Sequence, residues 1–370
     1  MDTDQLDPSG LWIGRVESRG IGPCVVTLRA GEVLDITSKD APTVRDVMEL
    51  DDAAAFVRAA PGERLDPSDE SFEWLAPCDL QSVKACGVTF ARSMVERVIE
   101  EQAAGDPARA EAIRARIGAR IGDSLSSVVP GSEAAGEVKA ALIEEGLWSQ
   151  YLEVGIGPDA EVFSKAQVLS SVGAGADVGL HPISTWNNPE PEVVLAVTSR
   201  GEIQGATLGN DVNLRDVEGR SALLLSKAKD NNASCAIGPM IRLFDEGFTL
   251  DDVRTAELGL RVVGEDGYVL EGSSSMSQIS RDPADLVAQT IGRHHQYPDG
   301  FMLFLGTLFA PTQDRDTPGG GFTHKLGDVV TISNAKLGAL ANTVRLSTEC
   351  PEWTFGASHL MRNLAGRGLL

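Results

Sequence analysis

The chain has 370 residues, 42% of them apolar, with 54 acidic against 32 basic residues and a net charge of −22 at pH 7. That length suits roughly two or three domains with a sizeable core, and the acidic balance argues against nucleic acid or an anionic membrane as the main partner. No run approaches the ~18 apolar residues of a membrane-spanning helix, the acidic start "MDTDQLDPSG" lacks both parts of a secretion signal, and scattered cysteines without a CxxC pair fit a reducing cytoplasm.

In chain order, "LWIGRVE", "CVVTLRA" and "VLDIT" alternate apolar and polar residues between glycine-containing turns and predict strands. "DAPTVRDVMEL" carries a proline near the start of a helical pattern, and "SVKACGVTF" is a further strand. After Ser93 the chain becomes rich in Ala, Glu and Arg. "SMVERVIEEQAAG", "DPARAEAIRARIGARIG" and "SEAAGEVKAALIEEG" predict three helices, with Asp106 and Ser132 as N-caps, packed outside the β parts or at a subunit contact. From about Tyr151 the pattern returns to strands. "DPADLVAQTIGRHHQ" interrupts as a helix capped by Asp282, and the apolar run "FMLFLGTLFA" predicts a strand buried on both faces. The expected organisation is an α/β domain over 1–90, a helical insertion over 91–150, and a β-rich catalytic domain over 151–370. The fold class is α+β, mostly β.

"WNNPEPEVVLAV" places two glutamates at the mouth of an apolar strand. Side chains alternate faces along a strand, so Glu190 and Glu192 share one side. "TSRGE" then reads as the turn of a hairpin whose partners sum to about 400, which sets Glu192 against Leu208, Glu190 against Asn210, and Asp211 beside Glu190. Three carboxylates gathered at one spot repel, and a divalent cation relieves that repulsion. All-oxygen donors suit Mg²⁺, with Mn²⁺ or Ca²⁺ as alternatives. A solvated acidic strand end is the other reading, because Glu-x-Glu is common. Lys227 and Lys229 follow in "LLLSKAKDNNASCAIGP"; a lysine near a cation and out of bulk water can serve as a base, whereas a surface lysine cannot.

Glu190-Pro-Glu192, "GATLGNDVNLRD" with Asp211, and a lysine before "CAIGP" together resemble the fumarylacetoacetate hydrolase superfamily. "GLWSQYLEVGIGPDAEVF" and "YPDGFMLFLGTLFAPTQDRDTPGGGFTHKLGD" narrow the resemblance to its bacterial 2-keto-3-deoxy-pentonate dehydratases. The resemblance implies a C-terminal β-roll or sandwich and Mg²⁺, with Mn²⁺ an alternative, on Glu190, Glu192 and Asp211. It implies a catalytic lysine at Lys229, with Lys227 as the second choice. It also implies that Glu161, Lys165 and Thr307 reach the metal or substrate, with Glu161 as proton donor and Asn231 as a further substrate contact. The implied reaction is dehydration of a 2-keto-3-deoxy-pentonate to 2,5-dioxopentanoate in non-phosphorylated pentose catabolism, by a cytoplasmic homodimer or homotetramer.

One departure bears on the reaction. Hydrolytic members carry Tyr-x-x-His-x-x-Glu, whereas "FARSMVE" has Phe90 and Ser93 in place of tyrosine and histidine, and keeps Glu96. Without that imidazole, water lacks its obvious activating base, which favours a lyase. A C–C hydrolase of acylpyruvates is the rival activity. A silent binder of sugar acids is the rival class, although a binder needs no base.

Overall fold

The computed structural model describes residues 3, 6–18, 20–69, 72–114, 128–144, 146, 148–307 and 311–370. Alternating apolar residues build an N-terminal ladder of β1 (Trp12–Ser18), β2 (Gly22–Arg29), β3 (Glu32–Asp35), β4 (Glu63–Leu65) and β5 (Phe72–Leu75). Then come β6 (Ser82–Gly87), β7 (Glu161–Ala166), β8 (Asp177–Leu180), β9 (Pro191–Val197), β10 (Ile203–Asp211) and β11 (Cys235–Leu243). The chain continues through β12 (Glu257–Val263), β13 (Val269–Ser275), β14 (Phe301–Phe304), β15 (Val329–Asn334) and β16 (Gly338–Leu346).

Two sheets result among the described residues. The larger runs β4-β3-β2-β1-β11-β10-β9-β14-β6-β7, with β5 also on β1; the smaller runs β13-β12-β15-β16-β8. Backbone pairing continues through the boundary expected near residue 90. β1 lies antiparallel to β11, and β6 lies parallel to β14, so N-terminal strands extend the same sheet that carries the C-terminal hairpin.

The centre of that sheet explains the apolar runs. Every residue of β9 is buried. Val193, Leu195 and Val197 face the smaller sheet, where Leu258, Leu260, Ile332 and Leu340 meet them. Val194 and Ala196 face the opposite way, with Phe304 and Met302, onto Val44, Val47 and Val57 of the N-terminal helices. A strand covered on both faces reads as continuously apolar rather than alternating. β14 ends at Phe304, so the expected strand 301–310 is shorter than its apolar run, and residues 308–310 lie outside the described residues. Phe304→Ala would empty that layer at a cost of about 3–5 kcal/mol.

Helices fall largely where their caps predict. Thr43 caps Val44–Met48, and Asp282 caps Pro283–Thr290 by accepting from Ala284 N. Ala91–Ala103 and Glu133–Glu144 are helical, as are residues 107–114; the remainder of the second predicted helix, 115–122, lies outside the described residues. Helix 91–103 is not an outer layer. Met94, Val98 and Ile99 are buried, but so are Ser93 and Glu100, which places part of its polar face inward. A C-terminal helix, Ala357–Gly366, is additional to the β-rich expectation. No helix among the described residues is long and apolar enough to cross a membrane.

Candidate metal centre and active site

The β9–β10 hairpin sets the register of the site. Pro191 pairs with Asn210, Glu192 with Gly209 and Val193 with Leu208, one residue from the expected pairing because an irregularity between Ile203 and Gly205 shifts the ladder. Asp211 N donates to Glu190 O at 3.0 Å, which brings Asp211 beside Glu190 as the hairpin predicts. Oxygens of Glu190, Glu192 and Asp211 lie within 4.8 Å of one another, and all three residues are buried. Gly209 lets this happen: a Cβ there would run into the Phe304 ring.

Cations and donors surround the triad. Lys229 ends the helix Leu225–Lys229; its Nζ donates to Glu190 Oε2, and to Asp211 Oδ2 at 3.2 Å. Lys165, on β7, places Nζ 2.9 Å from Asp211 Oδ1 and donates to the Lys229 carbonyl. Asp211 Oδ1 nonetheless accepts no aligned hydrogen bond. Gly306 N donates to Glu192 Oε2 at 2.7 Å, and Thr307 Oγ1 to the Pro191 carbonyl at 3.2 Å.

The triad, Lys229 and Thr307 line a narrow cavity of about 20 Å³, room for a water-sized group. Glu161 and Glu218 add two more carboxylates to its wall, while Val88 and Phe163 make an apolar side. Gly87 leaves room for the Glu161 carboxylate, which a Cβ there would displace from its present position. Burial raises Glu161 above the usual carboxylate range against the pull of Arg97 and Lys229, and Glu190 and Asp211 push it the same way. Burial, Asp211 and Glu190 together hold Glu192 well above its ordinary value. Burial likewise pushes Glu218 up to about 7, despite Arg97 and Lys229. Asp211 goes the other way: Lys165 and Lys229 outweigh its burial and lower it. Burial alone would lower Lys229, but Asp211, Glu190 and Glu218 outweigh it and hold the ammonium above its usual value.

The cavity thus collects Glu161, Glu190, Glu192, Asp211, Lys229 and Thr307 from five separate stretches of sequence. Lys165 stands behind the wall on Asp211. Lys227 stands apart, with Nζ 3.5 Å from His181 Nε2 at the surface, so the geometry selects Lys229 of the two. Asn231 is not brought to this cavity. Its amide donates to the Lys227 carbonyl at 2.9 Å, one helical turn back, and it lines a different, open cavity with Asp230 and Trp353. The reason is local: the helix ends at Lys229, and the turn after it directs Asn231 outward.

Ser93, which stands in sequence for the histidine of the hydrolytic pattern, lines the cavity, and its Oγ donates to the Phe90 carbonyl at 2.9 Å. Glu96 is turned away onto Arg114, at 2.8 and 2.9 Å. None of the five histidines lines the cavity among the described residues. Two residues escape sequence reasoning, Arg97 and Glu218. Arg97 Nη2 donates to Glu190 Oε1, and its Nη1 lies 2.6 Å from Glu100 and 3.1 Å from Glu218. The available signals were Ser93, Arg97 and Glu100 at helical spacing, and Glu218 in the "RDVE" that follows Asp211.

Three convergent carboxylates, with no nitrogen or sulfur donor among them, fit a hard divalent cation. Comparison with known proteins agrees in kind. Residues 172–345 match the family model described as fumarylacetoacetate (FAA) hydrolase, C-terminal. A probable 2-keto-3-deoxyxylonate dehydratase of Haloferax volcanii is 30% identical over 201 residues, 54% of this chain and 65% of that protein. A 2-dehydro-3-deoxy-D-arabinonate dehydratase of Saccharolobus solfataricus is 31% identical over 185 residues, 50% of this chain and 58% of that protein. The matched segment thus spans less than two thirds of either relative. The apo structure of a 2-keto-3-deoxy-D-arabinonate dehydratase superposes with a TM-score of 0.64 at 22% identity, over 90% of this chain and 99% of that one. A structure of the enzyme of that name, complexed with magnesium and 2,5-dioxopentanoate, gives 0.63 at 21% identity over the same shares. A fumarylacetoacetate hydrolase from Exiguobacterium antarcticum gives 0.57 at 17% identity, over 91% of this chain and 99% of that one. Residues 172–345 thus match a fumarylacetoacetate hydrolase C-terminal model, and the chain shares the fold of the 2-keto-3-deoxy-D-arabinonate dehydratase structures.

Proposed function

We propose that the chain is a metal-dependent hydro-lyase that converts a 2-keto-3-deoxy-pentonate to 2,5-dioxopentanoate and water. The observation that carries this reading is one buried cavity in which a carboxylate triad, a lysine and a separate glutamate meet without a histidine. The sugar-acid dehydratases among the relatives supply the substrate class. Mg²⁺ is the assigned cation, held by Glu190, Glu192 and Asp211, and Mn²⁺ suits the same oxygens. When bound, the cation supplies Lewis-acid polarisation of the 2-keto carbonyl and so acidifies the protons on C3.

The chain's own residues do the rest. Lys229, on the cavity wall, is favoured as the ammonium by Asp211 and Glu190; with a dication on those carboxylates that charge is disfavoured, and the neutral amine then accepts a C3 proton. Glu161, raised by burial, holds a proton and hands it to the hydroxyl leaving from C4. Lys165 balances Asp211 and, through the Lys229 carbonyl, fixes the helix end that carries the base. Thr307, tied to Pro191, stands where a substrate oxygen can reach it. Loss of water leaves a C3–C4 double bond; a proton then moves from C5 to C3 and the enol hydroxyl proton to C4, which leaves the aldehyde at C5. The apolar Val88 and Phe163 side limits bulk water, which keeps the enolic stage from being protonated early. The reading carries with it pentose breakdown through sugar acids by a cytoplasmic homodimer or homotetramer, which the five unpaired, buried cysteines suit.

Incubation with 2-keto-3-deoxy-D-xylonate, its L-configured counterpart and acetylpyruvate, followed by NMR of the products, tests the proposal. It requires 2,5-dioxopentanoate from at least one pentonate and no acetate from acetylpyruvate. Acetate formation with both pentonates untouched would turn the reading to hydrolase.

A further inference from the structure

Glu190 and Asp211 each have their two carboxylate oxygens met by different cationic side chains, Lys165 and Lys229 for Asp211, and Glu190 is the triad member held by an arginine. Arg97 Nη2 holds Oε1, and Lys229 Nζ reaches Oε2. The two partners differ in how firmly they are fixed. Lys229 sits at a helix end and also touches Asp211 at 3.2 Å, so it shares the space between two triad members. Arg97 rises from the middle of helix 91–103 and is itself clamped by Glu100 at 2.6 Å and Glu218 at 3.1 Å. Glu100 is held in turn by Arg215 at 2.7 Å, and Arg215 stacks 4.5 Å from the Trp186 ring. The guanidinium is thus held by several carboxylates at once, and it caps one oxygen of Glu190.

We infer that Arg97 is a positioning residue that sets cation selectivity: by capping Oε1 it leaves Glu190 only Oε2 to offer, and so favours Mg²⁺ over Ca²⁺. This rests on the triad being a cation site. The physical reason lies in coordination number. Mg²⁺ takes about six oxygens in a tight octahedron, for which a one-oxygen carboxylate suffices. Ca²⁺ takes about six to eight and gains from a carboxylate that gives both oxygens. A capped Glu190 withholds the second oxygen. Removing the arginine charge strengthens binding of both dications alike, so it cancels from their ratio, as does general damage to the fold. What does not cancel is the oxygen set free.

The test is isothermal titration of the substrate-free protein with MgCl₂ and with CaCl₂, for wild type, Arg97→Met, Arg97→Lys and, as a site control, Glu192→Gln. The expected result is a Ca²⁺-to-Mg²⁺ affinity ratio that rises about tenfold or more in Arg97→Met, within the range outer-shell partners command. Arg97→Lys keeps a donor near Oε1 and stays closer to wild type. An unchanged ratio in Arg97→Met, with cation binding retained, overturns the inference alone. Wild-type binding that survives Glu192→Gln undiminished, or no binding in the wild type, overturns the site itself.

Discussion

Two buried charged clusters in this molecule are built from the same kinds of groups and come out differently. Around Asp328, Arg315 forks onto both carboxylate oxygens at 2.7 Å, while His324 Nδ1 and Lys325 N each reach Oδ2 at 3.0 Å. Every oxygen there is answered, and burial and partners leave Asp328 held down to about 2. Around Asp211 the carboxylates of Glu161, Glu190, Glu192, Asp211 and Glu218 outnumber the cations Lys165, Lys229 and Arg97, and the groups surround a cavity. Burial therefore does not separate a site from a structural ion pair. Unanswered charge of one sign, arranged around a cavity, does.

The largest effects should fall on the open cluster. Asp211→Asn is expected to remove turnover and weaken Mg²⁺ by more than the roughly 100-fold upper range of outer-shell changes. Lys229→Ala is expected to lose turnover and still bind Mg²⁺, which calorimetry can show directly. Lys229→Ala with wild-type dehydration would refute the base assignment.

Stability should reverse the order. Asp328→Asn removes the fork from Arg315, which keeps Asp266 at 3.0 Å, and is expected to cost about 1–3 kcal/mol by urea unfolding. Glu192→Gln, in metal-free buffer, is expected to cost nothing or to stabilise, because it relieves repulsion from Asp211 and Glu190 that burial leaves unscreened. Equal losses in the two variants would dissolve the contrast between the clusters.

An effect of similar size is expected with pH. Asp328 is lowered by folding, so it contributes stability above its ordinary value near 3.8 and loses it as pH falls toward about 2. That contribution is on the order of 2 kcal/mol. Between pH 4 and pH 2 wild type should therefore lose more stability than Asp328→Asn, as acid titration by circular dichroism can measure. The smallest effect is expected at Asn231, whose amide serves the Lys227 carbonyl. Asn231→Ala should leave KM within about twofold, as befits a surface change; a tenfold rise would return it to the substrate.

The contrast also shows what a sequence can carry. The hairpin was legible because period-2 alternation and a turn fix which residues share a face, and the register missed by one residue where the ladder is irregular. The triad followed from it. Glu161, Lys165 and Thr307 came from the family pattern, not from spacing, because the strands that bring them together are distant in sequence. Arg97 and Glu218 were not legible: charges on an Ala- and Glu-rich helix look like a solvated face until the helix is known to turn them inward. The backbone link from β1 to β11 was hidden for a similar reason, since no local pattern names a strand's partner. Asn231 shows the converse, a polar residue close in sequence to the cavity lysine, Lys229, that the following turn carries away.

The most direct measurement is turnover of 2-keto-3-deoxy-pentonate after complete chelation and stepwise return of Mg²⁺. The account predicts that 2,5-dioxopentanoate formation stops with the chelator and returns in proportion to the cation bound at one site per chain. Unabated product formation in the chelated protein would contradict it.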